Sequence, residues 1–126
     1  MRKIVTVLML FSAASSLAQD APQQQLLELV EAGRTCEPVQ NNGMLCTFKV
    51  DNQLTITIKD VGGSDTVVGF DHSDISERFY AVLYFGCVVV VPGNAHERNY
   101  DLSYGAFISP KNAAVYSTRE ECQSAD

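Results

Sequence analysis

The sequence predicts a small α+β domain built mostly of antiparallel sheet, and three observations carry that expectation. An apolar stripe at helical spacing lies near the start of the chain, between Pro22 and Ala32. From Met44 the apolar period changes from 3.6 to 2, the pattern of strands with one face turned to a core. Four cysteines, with no odd one left over, all follow an N-terminal export signal, so two disulfides are expected to staple the domain. The expected architecture is about five strands, one N-terminal helix and a short C-terminal helical turn.

Met1-Arg2-Lys3 is a short basic start, Ile4 to Phe11 is an apolar run too brief to cross a bilayer, and Ser16-Leu17-Ala18 offers small residues for cleavage. Residues 1–18 therefore read as a signal peptide and residues 19–126 as a single disulfide-stabilised domain. A chain of that size buries about 60–68% of its unfolded surface, so its core is modest and gains from cross-links. Gln19 stands where a bacterial lipid anchor needs a cysteine, and no later apolar stretch is long enough to span a membrane. The expected location is outside the cytoplasm, periplasmic or secreted, with no stable membrane insertion.

The full chain carries 9 basic and 15 acidic side chains, a formal charge of −6. Loss of Arg2 and Lys3 with the signal leaves 7 against 15, or −8. That balance argues against nucleic acid and anionic lipid, which attract basic surfaces, and favours a cationic partner only weakly.

Taken in order, Leu26, Leu27, Leu29 and Val30 define the helix, with Pro22 suited to its first turn and Gly33 placed to end it in a left-handed conformation. Cys46, Phe48 and Val50 alternate with polar residues, as do Leu54, Ile56 and Ile58, giving two strands. If both even-numbered sets face the core, Val50 lies opposite Leu54 across the three-residue loop Asp51-Asn52-Gln53, and Cys46 lies opposite Ile58, pointing inward. Gly62-Gly63-Ser64-Asp65 is a loop and Thr66 to Phe70 a short strand; Asp71-His72-Ser73-Asp74 then reads as a loop, with Asp74 capping a helical turn from Ile75. Cys87 to Val91 is apolar throughout, so both faces of that strand should be covered, and Gly86 marks a bulge or a bend. Tyr100, Leu102, Tyr104, Ala106 and Ile108 alternate up to a turn at Pro110 to Ala113, and Val115-Tyr116 completes a hairpin. Ser117 and Glu120 have capping-box spacing and place Cys122 on the terminal turn.

Four cysteines allow three pairings. Cys36 with Cys46 and Cys87 with Cys122 is favoured, because the first closes the Pro38 to Gly43 loop and the second ties the tail to the central strand. The runner-up, Cys36 with Cys122 and Cys46 with Cys87, follows if the two inward strand cysteines are neighbours.

Chemistry-bearing patterns are sparse. The two histidines, His72 and His96, have Asp71, Asp74 and Glu97 beside them and would suit a divalent metal if their loops met, but no His-Glu-x-x-His or Cys-x-x-Cys pattern is present. Neither Ser73 nor Ser103 sits in a Gly-x-Ser-x-Gly elbow. Tyr84, Tyr100 and Tyr104 fit either the rim of a core or a binding face, since tyrosine offers large contact area with a polar tip.

In size, export and disulfide content the chain resembles the loose class of bacterial envelope proteins that includes periplasmic lysozyme inhibitors and immunity proteins, a likeness of class that carries over no residue. The expected function is that of a non-enzymatic binding protein for a protein or envelope component. Its candidate face is Tyr84, Tyr100 and Tyr104 with Asp71, His72, Asp74, His96 and Glu97. No cofactor is implied. The alternative is a small hydrolase or metal-dependent enzyme centred on His72 and His96.

Overall fold

In the computed structural model, which describes residues 23–72, 78–93 and 105–126, helix α1 covers residues 23–32. Leu26 and Val30, one turn apart, are its buried residues, while Leu29 at the side of the stripe is exposed. Gly33 ends the helix, its N–H donating to Leu29 and Val30 carbonyls at 3.2 Å. It is not left-handed as expected; the described glycines with positive φ are Gly62, Gly86 and Gly93. Gly33 is there for close approach instead. Its carbonyl accepts from the Lys49 N–H at 3.0 Å, and a Cβ at this position would collide with the Lys49 carbonyl group. Gly33→Ala should therefore cost about 1–3 kcal/mol by forcing helix and sheet apart. Urea unfolding would measure it, and an unchanged midpoint would contradict so close an approach.

The first sheet is a meander in the order β1 (Arg34–Pro38), β2 (Met44–Lys49), β3 (Leu54–Lys59) and β4 (Val67–His72), antiparallel throughout. Cys46 pairs with Ile58, and the Val50 N–H donates to the Leu54 carbonyl at 3.0 Å, so the three-residue loop and its register are as expected. Asp51 shapes that loop by accepting from the Gln53 and Leu54 N–H groups, each at 2.9 Å. Strand β1 escapes the sequence reading because all five of its residues are exposed and none alternates. Backbone pairing with β2 and the Cys36–Cys46 disulfide hold it. The Pro38 to Gly43 segment is thus a hairpin connection containing the short 3-10 turn Gln40–Asn42, rather than a link from helix to sheet. Strand β4 also runs on through Asp71 and His72, which were expected in a loop, because Thr55 and Leu54 of β3 offer them partners.

The second sheet, β5 (Phe79–Tyr84), β6 (Cys87–Pro92), β7 (Ala106–Ile108) and β8 (Val115–Tyr116), is a second antiparallel meander. Phe79 to Val91 resolves into the hairpin β5–β6, and the β7–β8 hairpin is as expected, although residues 94–104 lie outside the described region. The eight strands of the described residues replace the expected five or so. Helix α2 spans Arg119–Gln123. Its cap is one residue later than the Ser117–Glu120 spacing suggested: Thr118 Oγ1 accepts from the Glu121 N–H at 3.1 Å.

The two sheets and α1 share one core. Phe48, Leu54, Ile56 and Ile58 meet Val88, Val90, Ala106 and Ile108, with Leu26 and Val30 of the helix. The opposite face of β6 is buried too, where Cys87, Val89 and Val91 join Phe107 and Cys122 under α2. An apolar strand without alternation is accounted for by this double cover. The disulfides are Cys36–Cys46 and Cys87–Cys122, the favoured pairing.

Candidate functional site

Strands β5 and β6 are joined by two residues, Phe85 and Gly86, with Tyr84 and Cys87 as the last pair. Both turn residues are left-handed, at φ 50° and 82°, as in a type I′ turn, the geometry whose twist suits a two-residue hairpin. Gly86 is suited to this conformation, and Asn or Asp is the usual occupant of the first position. Phenylalanine there costs about 1–2 kcal/mol in backbone strain.

Phe85 does not recover that cost in the core. It is 67% exposed, more than any other large hydrophobic residue described. Its ring is nevertheless held in place. Tyr84 meets it edge to face at 4.5 Å between centroids, and the Arg119 guanidinium lies 5.4 Å from the Phe85 centroid and 5.7 Å from that of Tyr84. Gln123 Nε2 donates to the Phe85 carbonyl at 3.2 Å, and the Cys87–Cys122 disulfide bolts α2, the source of Arg119 and Gln123, to the residue that follows the turn. Leu83, 51% exposed, belongs to the other face of β5, that of Phe79 and Ala81. A cleft of about 290 Å³ lined by Ser109, Lys111 and Gln123 adjoins Phe85.

Such an arrangement has the form of an anchor. Burying the exposed part of a Phe side chain removes on the order of 100 Å² of apolar surface, worth about 2–3 kcal/mol, which exceeds the strain it carries. That gain appears only when another surface covers the ring. Because the tip is already fixed, little further ordering cost falls on the complex.

Of the eight residues expected to form a face, Tyr100, Tyr104, Asp74, His96 and Glu97 lie outside the described residues, and His72 is placed by its backbone alone, opposite Leu54. Tyr84 is part of the hairpin tip. Asp71, opposite Thr55, is on the outer face of the first sheet, whereas Tyr84 belongs to the α2-covered face of the second, so the two are on opposite sides of the shared core. Among the described residues, no three His, Cys, Asp or Glu side chains are gathered as a metal site would require. Sequence reading missed Phe85: Gly86 reads equally as a bulge or a bend, and a phenylalanine beside it in a run that stays apolar on both sides gives no local mark of a hairpin tip. No protein-family model matches the chain, and no curated protein or solved structure matches it either.

Proposed function

We propose that the protein is an exported, non-enzymatic binding protein, periplasmic or secreted, that engages a partner protein through the β5–β6 hairpin tip. The observation that carries this reading is Phe85: strained, two-thirds exposed, and yet fixed by Tyr84, Arg119, Gln123 and a disulfide. Aromatic and arginine side chains on rigid supports are the usual energetic centres of protein interfaces. Two disulfides suit an oxidising compartment, and among the described residues no helix is long and apolar enough to cross a membrane.

The test is affinity capture from an envelope extract with the oxidised protein and with Phe85→Asn as paired baits. A stoichiometric protein retained by the first and lost from the second is the expected result. Equal recovery on both baits would dismiss the hairpin tip as the binding element.

A further inference from the structure

A second surface flanks α2 on the side away from the hairpin tip. Between α1 and β8 runs a groove of about 610 Å³ whose lining includes Leu27, Ala32 and Val115 and the carboxylates of Glu28, Glu31 and Glu121. Leu27 and Val115 are half-buried and packed against the main core, so they form its floor, while the three glutamates are exposed along its sides. Glu28 and Glu31 follow one another on the same helix face at i,i+3, and Glu121 approaches from α2 across the groove. Among the described residues, no lysine or arginine lines the groove. Arg34 bonds Glu31 at 2.6 Å and donates to the Ala113 carbonyl at 2.9 Å.

We infer that this groove docks a cationic, apolar-faced peptide segment of a partner protein, with its apolar side chains on Leu27, Ala32 and Val115 and its Lys or Arg groups against Glu28 and Glu121. Charge complementarity selects this occupant. An acidic segment would meet Glu28 and Glu121 at its own sign, Glu31 being paired with Arg34, and a second copy of this chain, at a formal charge of −6, carries the same unfavourable sign. The floor supplies contact area, and the carboxylates supply orientation and discrimination. The groove stands on observations separate from those at Phe85.

The test uses the oxidised protein and two fluorescein-labelled ten-residue probes, one alternating Lys and Leu and the other alternating Gln and Leu. The Lys probe should bind at least about tenfold more tightly than the Gln probe, weaken as salt is raised, and shift the amide signals of Leu27, Glu31 and Val115. Glu28→Lys should weaken it severalfold, Ala32→Trp should block it by filling the groove, and Phe85→Asn should leave it unchanged. Both groove substitutions are at exposed helix positions, and retention of the amide spectrum elsewhere confirms folding. Equal binding of the two probes, indifference to Glu28→Lys and Ala32→Trp, or loss of binding in Phe85→Asn would overturn the inference. So would groove signals that shift with protein concentration alone, which would make a second copy the occupant.

Discussion

Phe85→Asn should make the protein more stable while weakening its hold on the partner at the hairpin tip. Asparagine tolerates the left-handed conformation that phenylalanine occupies at φ 50°, so relief of strain should stabilise the fold by up to about 1 kcal/mol, less whatever the ring contacts with Tyr84 and Arg119 contribute. The same change removes the exposed ring and should cost about 2 kcal/mol or more in partner affinity, roughly 30-fold. Chemical denaturation and a binding isotherm on one preparation would read both quantities. Opposite signs are the mark of a residue kept for function at the expense of the fold. A loss of stability together with unchanged affinity would instead make Phe85 a structural residue.

Removal of the Cys87–Cys122 bond should be the most damaging change to the fold. Replacing both cysteines with Ala opens a 35-residue separation, for which chain entropy alone gives about 3–4 kcal/mol, against roughly 3 kcal/mol or less for the 10-residue separation of Cys36–Cys46. Burial widens the gap. Cys87 of β6 and Cys122 of α2 are both buried, whereas only Cys46 of the other pair is, Cys36 being on an exposed strand. The two double variants should also differ in kind. Without Cys87–Cys122, α2 is free to leave, Arg119 and Gln123 no longer brace the tip, and amide exchange over residues 119–126 should rise together with a fall in partner affinity. Without Cys36–Cys46, affinity should persist wherever the protein remains folded. Equal loss of affinity in both variants would show that α2 does not brace the tip.

Legibility in the sequence followed the apolar pattern. The facing and register of β2 and β3 were readable, including Val50 opposite Leu54, because Cys46, Phe48, Leu54, Ile56 and Ile58 are buried and the odd positions between them are not. Both faces of β6 are covered, as its unbroken run of valines implied. Strand β1 was invisible because Arg34, Thr35, Cys36, Glu37 and Pro38 bury nothing and are held by their neighbours. The split of Phe79 to Val91 into two strands was hidden for the opposite reason, since apolar residues continue across the point where the chain reverses. Gly33 shows a further limit. Its identity is set by the backbone of β2, sixteen residues away in sequence, and a local rule for helix ends assigned it the wrong purpose. The exposed tip was missed on the same ground, because nothing in local sequence distinguishes a phenylalanine that fills a core from one held out of it.

Each sheet follows chain order, so every strand after the first of its sheet pairs with the strand just before it in the chain. Such a topology favours rapid, stepwise assembly from the N-terminal side, since each step closes only a short loop. The first meander and its small cystine loop can be complete by residue 72, before the second has formed. Cys87 to Val91 is then the vulnerable interval. Until β7 and α2 arrive, the Cys87, Val89 and Val91 face of this strongly β-forming run is open to other chains. Late oxidation of Cys122 would prolong that exposure, so the yield of soluble protein should be governed by how quickly the last disulfide closes rather than by the stability of the finished fold.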